Sequence, residues 1–489
     1  MKTKALLIGA TVLATIAVAG ASAWMVNAGF ISSSAVPDAD TPIATASIVP
    51  NGPLQLLGAL PDSIPVSTEW VASYPDGAGF CDAAKIRANF SDPSKILLPG
   101  KDGWVFRQDE LQWPSKPADP ALHRVVQALQ KHLKQSNTKL IVLISPPRNI
   151  TGASHIDGAG GQYSGADHAT KMYRNLLAEL RKNGAYVPDI LAEADFNRVK
   201  WDQLSDAADS HWSALGAKMA ADATSRIIQS DNRSANTTLS KFKIERKGGT
   251  ETVSDYMDIL ANICGSNSLS KEVATFGEVK TAAVPNEGTP KNQSGSIVLV
   301  GTSFTARDRR YNYSGFLSEG TGLKIANFSA EGSNPVQSLA GYLASGALLR
   351  ERPRFLVWEI SPLNLPDSGS AAQIEAYVDP TCSVLGETVT NFDWNEARLF
   401  GSDVLRTYAG TRAKITLSTT TKSLREFKII TQYHDGRTEQ MSIYFVRSKI
   451  VPDQFKLIIP NIAGAKSISI KPVGMTTGKI KAQLCGMDV

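Results

Sequence analysis

The sequence predicts an open, mostly parallel α/β sheet domain followed by a small all-β sandwich. Three observations point there. First, runs such as Leu140–Ile144, Ile297–Val300 and Phe355–Ile360 are nearly continuous in apolar residues over strand length, as expected of strands buried on both faces in a parallel sheet. Second, segments with helical periodicity separate them, the alternation that builds α/β domains. Third, the texture changes after Cys382 to short β-branched or aromatic runs between turn signals, which reads as a β-sandwich.

In order along the chain, Lys2 and Lys4 precede an uncharged apolar run from Ala5 to Val26, with Ala21-Ser22-Ala23 as a small-x-small cleavage site. Residues 1–26 therefore read as a signal peptide or as an uncleaved membrane anchor, and either one exports the rest of the chain. Residues 27–75, rich in Ser, Pro, Ala and Asp, read as a linker. The α/β domain spans 76–380. Asp119-Pro120 caps and opens a helix whose apolar face is Leu122, Val125, Val126, Leu129 and Leu133. The strand Leu140–Ile144 follows. A helical face (Met172, Leu176, Leu177, Leu180) leads to a short strand around Ala185–Ile190, and Ser213 caps a helix running to about Ile228. Strand Ile297–Val300, strand Lys324–Phe328, helix Pro335–Leu349 and strand Phe355–Ile360 complete a five-stranded sheet. Ligand sites in such sheets lie at the carboxyl ends of strands. The sandwich spans 381–489, with strands near 415–420, 427–433, 441–446, 455–459 and 467–470.

Composition narrows the class. A chain of 489 residues that is 42% hydrophobic and 20% charged has material for two to three real cores. The net charge of +5 is small for this length and argues against a nucleic-acid binder. The excess is localised: from Thr381 onward there are 15 Lys/Arg against 9 Asp/Glu, a net of +6, on a body of net −1. A basic module on a neutral body suggests an anionic partner. Four cysteines (Cys81, Cys264, Cys382, Cys485) in an exported chain predict two disulfides. Of the three possible pairings, Cys81–Cys264 with Cys382–Cys485 gives each domain its own clamp. No CxxC or His/Cys cluster occurs, so no metal site is expected.

Two motifs carry chemistry. In Val298-Leu299-Val300-Gly301-Thr302-Ser303 a serine directly follows a buried strand, and the glycine permits a tight turn that lifts its hydroxyl. In Asp209-Ser210-His211-Trp212-Ser213 a polar turn offers a carboxylate and an imidazole two residues apart. A serine is a weak nucleophile until a base takes its proton, and a carboxylate on the imidazole selects the correct tautomer. Together they suggest a Ser303–His211–Asp209 triad.

At these residues the sequence resembles the periplasmic alginate O-acetyltransferases of the SGNH-hydrolase-like class that carry a C-terminal carbohydrate-binding domain. The resemblance rests on Lys101-Asp102-Gly103-Trp104-Val105-Phe106, Asp209-Ser210-His211-Trp212 with Gly216-Ala217, and Gly301-Thr302-Ser303. Tyr311-Asn312-Tyr313 with Phe316, Phe355–Glu359 and the cysteine spacing extend it over most of Gly79–Val489. It implies an SGNH-hydrolase-like (flavodoxin-like) sheet domain in which Ser303 is nucleophile, His211 base and Asp209 its orienter. It also implies acetyl transfer by a ping-pong route. The acetyl group comes from a donor protein of a membrane-associated export and acetylation complex and goes to an anionic exopolysaccharide in the periplasm, without a cofactor. The usual Gly-Asp-Ser stands as Gly-Thr-Ser. Asn149 is a candidate oxyanion donor. Arg307, Arg309, Arg310, Tyr311, Asn312 and Tyr313 are candidate polymer contacts near Ser303, and Trp394, Arg398, Arg406, Tyr408, Lys414 and Lys428 are candidates in the sandwich. A carbohydrate esterase with the same triad, and a non-catalytic polysaccharide-binding scaffold, are the competing expectations.

Overall fold

The structure, a computed structural model, describes residues 80–487 except 115–119, 157–162, 232–239, 266–269, 284–296, 394, 407–411, 420–423, 446–448, 450–453, 460–461 and 474–477. The expected signal or anchor segment and linker, Trp394 and Tyr408 lie outside the described residues. Among the described residues no helix is long and apolar enough to cross a membrane.

A short antiparallel pair, β1 (Leu97–Pro99) and β2 (Val105–Arg107), opens the α/β domain. The central sheet holds β3 (Lys139–Ile144), β6 (Ile297–Val300), β7 (Ile325–Asn327) and β8 (Phe355–Ile360) in the order β3-β8-β6-β7, all parallel. Every residue of β6 and β8 is buried, which is why both read as apolar runs. Helices cover both faces. Helix Pro120–Ser136 buries the face read from its spacing, and Ser213 caps helix Ala214–Gln229 by accepting from Gly216 N–H.

Two expectations need correction, and one unit is additional. The segment around Ala185–Ile190 is not a strand: it makes one parallel bridge, Tyr186 to Ile141, and Ile190 already starts a helix capped by Asp189. Asp189 accepting from Ala192 N–H favours the helix over extension of the bridge. The helix expected over Pro335–Leu349 is two helices, Pro335–Ala344 and Ala347–Glu351, broken at Gly346 with φ 66°. Between helix Ala214–Gln229 and β6 the chain builds an unpredicted unit. A two-stranded antiparallel ribbon, β4 (Ser240–Val253) with β5 (Ser270–Ala283), brackets helix Asp255–Cys264. The disulfide Cys81–Cys264 ties the end of that helix to the segment just before helix Ala83–Ala88.

The C-terminal module has two four-stranded antiparallel sheets, more than the five strands expected. One has the order β10 (Ala397–Phe400), β15 (Ala465–Pro472), β12 (Glu426–Tyr433), β13 (Thr438–Tyr444). The other has β14 (Gln454–Ile459), β11 (Ala413–Thr419), β16 (Gly478–Gly486), β9 (Ser383–Phe392). In β9 the buried residue is mainly Phe392, so its periodicity carries little signal. Cys382–Cys485 joins the start of β9 to its partner β16. The sandwich core includes Ala340 of the α/β domain, and helix Ser368–Val378 packs Ala372 and Ala376 on Ile458, so the two parts share an apolar contact.

Candidate active site

The Asp209–His211 turn and Ser303 meet at the carboxyl edge of the central sheet. Ser303 follows β6 as the first residue of a one-turn helix, Ser303–Ala306, capped by Thr302. The opposing turn is closed by the Ser205–Trp212 bridge, with Asp206 N–H donating to His211 O at 3.0 Å. It delivers His211 so that Nε2 lies 2.6 Å from Ser303 Oγ and Nδ1 lies 2.5 Å from Asp209 Oδ1. Asp209 is fully buried and His211 nearly so. The imidazole is packed between Phe304 and Tyr311, at centroid distances of 4.7 and 5.5 Å.

The surroundings decide the charge of Asp209. Burial alone would raise its carboxyl, but His211, then Arg310 and Arg307, outweigh that and hold it below the ordinary carboxylate range. Arg310 Nη2 lies 3.1 Å from Asp209 Oδ2, and the Asp255 backbone N–H donates to the same oxygen at 3.2 Å. Asp255 stands 3.8 Å from His211 Nδ1 and is bridged by Arg307 Nη1 at 3.1 Å. Burial, with Asp209 nearby, pushes the Asp255 carboxyl up. Asp209, His211 and Asp255 bring three potential metal-ligating atoms within 4.8 Å of one another, but Arg307 and Arg310 already balance both carboxylates. The turn is held from below by Arg148, which is buried, ion-paired to Glu110 at 2.7 Å, and donates to the Asp206 and Ala207 carbonyls at 2.8 and 2.9 Å.

Several candidates take other roles. Asn149 is not placed as an oxyanion donor: its Nδ2 donates to Trp113 O at 2.5 Å and to Ser164 Oγ at 3.0 Å. Tyr311 and Tyr313 are buried, the first stacked on His211 and the second on Trp212, so neither is an exposed sugar platform. Asn312 is buried, adopts φ 54° and starts helix Tyr313–Thr321. Arg307 and Arg310 are spent on Asp255, Asp206 and Asp209; Arg309 of the same turn is exposed. In the sandwich Arg398 and Arg406 are exposed and Lys428 is half-buried. Lys414 is buried, and its Nζ donates to the Asp379 and Thr381 carbonyls at 2.9 and 2.6 Å. It braces the domain junction instead of facing a polymer.

Sequence reasoning passed over Asp255, Arg148 and Glu359 as functional residues. For Glu359 a signal existed: it is the one charged residue in the otherwise apolar run Phe355–Ile360.

A family model described as "SGNH hydrolase-like domain, acetyltransferase AlgX" matches residues 97–362. An "Alginate biosynthesis protein AlgX" of Pseudomonas fluorescens is 24% identical over 313 residues, 62% of this chain and 63% of that relative's length. A "Probable alginate O-acetylase AlgJ" of Pseudomonas aeruginosa is 25% identical over 298 residues, covering 57% of this chain and 73% of the relative. Among solved structures, that of Pseudomonas aeruginosa AlgX superposes with a TM-score of 0.66 at 21% identity, covering 84% of this chain and 100% of the other, which establishes a shared fold. The matched span contains β3, the Asp209–His211 turn, Ser303 and β8, so the chain belongs to the SGNH hydrolase-like acetyltransferase AlgX family.

Proposed function

We propose that this protein is a serine-dependent O-acetyltransferase that acetylates hydroxyls of an exported anionic polysaccharide, alginate. The observation that carries this reading is His211 bridging Asp209 and Ser303 at 2.5 and 2.6 Å on the carboxyl edge of the sheet. Membership of an acetyltransferase family and the alginate-related names of its relatives supply the acyl group and the polymer. Two disulfides are consistent with a periplasmic setting, where such bonds persist.

In the first half-reaction Ser303 Oγ attacks the acetyl carbonyl of the donor while His211 Nε2 takes the hydroxyl proton. Asp209 holds Nδ1–H and stabilises the imidazolium that forms. The donor's leaving group departs with the proton from His211, leaving acetyl-Ser303. In the second half-reaction a sugar hydroxyl gives its proton to His211 and attacks the ester carbonyl. Collapse returns the proton to Ser303 Oγ and releases the acetylated polymer. The sandwich, with exposed Arg398 and Arg406 and its net charge of +6, is read as the polymer-holding module and 76–380 as the catalytic one. The acetyl donor is read as a protein of a membrane-associated export complex.

Mass spectrometry after incubation with an activated acetyl ester and mannuronate oligomers tests this. The expected result is a 1:1 acetyl adduct on Ser303 and acetylated oligomers, both absent in Ser303→Ala. Acetate release with no acetylated sugar would instead indicate an esterase, and full polymer acetylation in a strain carrying Ser303→Ala a non-catalytic scaffold.

A further inference from the structure

We propose that Glu359 is a positioning residue for the nucleophile, acting through Thr302. The inference rests on the reading of Ser303 as nucleophile and deepens it.

Glu359 ends in the turn that carries Ser303, although it belongs to the neighbouring strand β8 and is fully buried. Its Oε2 accepts the Thr302 backbone N–H at 2.6 Å, and the Thr302 hydroxyl donates to the same carboxylate at 2.9 Å. Thr302 Oγ1 in turn accepts from Phe304 N–H at 3.4 Å, capping the helix that begins at Ser303. Thr305 Oγ1 approaches Oε2 at 3.2 Å and also donates to Ser329 Oγ at 2.8 Å. Thr302, just before the nucleophile, is thus pinned to the carboxylate, and Thr305, two residues after it, lies against the same oxygen. Gly301 completes the cradle: a Cβ there would sit 2.5 Å from Glu359 Oε2.

A carboxylate is suited to this place because it accepts from both Thr302 donors at once. Once protonated, it can still accept through Oε2 but without its charge, so both Thr302 donations weaken together. The turn can rotate, and Ser303 Oγ loses its 2.6 Å alignment on His211, where small misplacements are costly. The ionisable groups coupled to Glu359 are His211, across the Ser303 turn, and Tyr313 of the adjoining helix. Burial pushes Glu359 up to about 7 against the pull of the Thr302 donations, so the latch titrates near neutral pH.

The test is the rate at which a fluorophosphonate labels Ser303 in the full chain, followed by peptide mass spectrometry from pH 5 to 9. It needs neither polymer nor acetyl donor. Glu359→Gln should lower the labelling rate about 10-fold at pH 8 with a single cooperative thermal transition retained. Thr302→Val, which keeps the backbone donation, should lower it less. Wild type should lose reactivity on acidification more steeply than Glu359→Gln, because Glu359 takes up a proton that the glutamine cannot. At pH 5 the two rates should converge. Glu359→Gln labelling at the wild-type rate, or with the wild-type pH profile, overturns the inference while Ser303 stands. Absence of labelling at Ser303 in wild type removes the nucleophile reading, and the inference with it.

Discussion

Arg310 reaches Asp209 from the far side of the triad, its Nη2 3.1 Å from Asp209 Oδ2 and 3.0 Å from Asp206 Oδ2. One guanidinium therefore neutralises the carboxylate that meets His211 Nδ1 and fastens the turn on which that carboxylate sits. A cation expected to face the polymer is instead part of the floor of the site.

Arg310→Gln should destabilise the protein by about 3 kcal/mol at pH 7, because two buried carboxylates lose their partner. Asp209 is held below its ordinary range, so its contribution is present above the unfolded carboxylate pKa and is lost as pH falls through the folded one. The gap between wild type and Arg310→Gln in denaturant unfolding should therefore hold steady from pH 7 to about pH 4 and narrow only on acidification below that. A gap independent of pH would disconnect Arg310 from Asp209.

Asp209→Asn should leave the fold intact and lower turnover by on the order of 10⁴, the size of loss seen where the wrong histidine tautomer is stabilised in serine proteases. Steady-state hydrolysis of a chromogenic acetyl ester measures this. Retention of more than a tenth of the activity would place the orienting role on Asp255, whose carboxylate stands 3.8 Å from the same nitrogen.

Gly301→Ala should be costly in stability and activity together. The added methyl meets Glu359 Oε2 at 2.5 Å and Thr305 Oγ1 at 2.7 Å, and overpacking of this kind costs about 1–3 kcal/mol. A calorimetric midpoint equal to that of wild type would show that the cradle yields freely.

Glu359 gives a pH dependence of opposite sign to Asp209. Its carboxyl rises to about 7 in the fold, so between the unfolded pKa of about 4.5 and pH 7 the native state keeps a proton that the unfolded state has lost. Stability from this group is full below that window and falls as pH rises through it, by on the order of 3 kcal/mol at most. Glu359→Gln has no such loss. Its stability relative to wild type should improve from pH 4.5 to pH 8 in chemical denaturation, and a constant difference would contradict the buried-carboxylate account.

Polymer binding by the full chain should weaken steeply with added salt and favour a polyuronate over a neutral glucan of equal length. Arg398→Ala with Arg406→Ala, both exposed in the sandwich, should cost roughly 10-fold in affinity between them, read by isothermal titration calorimetry. Salt-independent binding, equal for the two polymers, would remove the electrostatic reading.

Much of this was legible in the sequence because the signals are local. Continuous apolar runs mark strands buried on both faces, and β3, β6 and β8 appear where the runs lie. Ser213 announces its helix because a cap acts within three residues. Asp209 and His211 share one turn, and Ser303 directly follows a strand, so each half of the triad is visible by itself. The ribbon of β4 and β5 escaped notice because its strands pair chiefly with each other and carry no clean apolar alternation.

What the sequence by itself determined, then, is the order of buried strands and the residue types at two strand-end turns. The tertiary structure decided which charges serve those turns. Glu359 lies 57 residues from Thr302, yet parallel pairing of β6 with β8 sets them against each other. Helix Asp255–Cys264 brings Asp255 to His211 from within an inserted ribbon. An arginine near a nucleophile looks the same in sequence whether it faces a polymer or a buried aspartate. Only packing separates the two, because burial makes an unpaired carboxylate costly and so commits the nearest guanidinium to it.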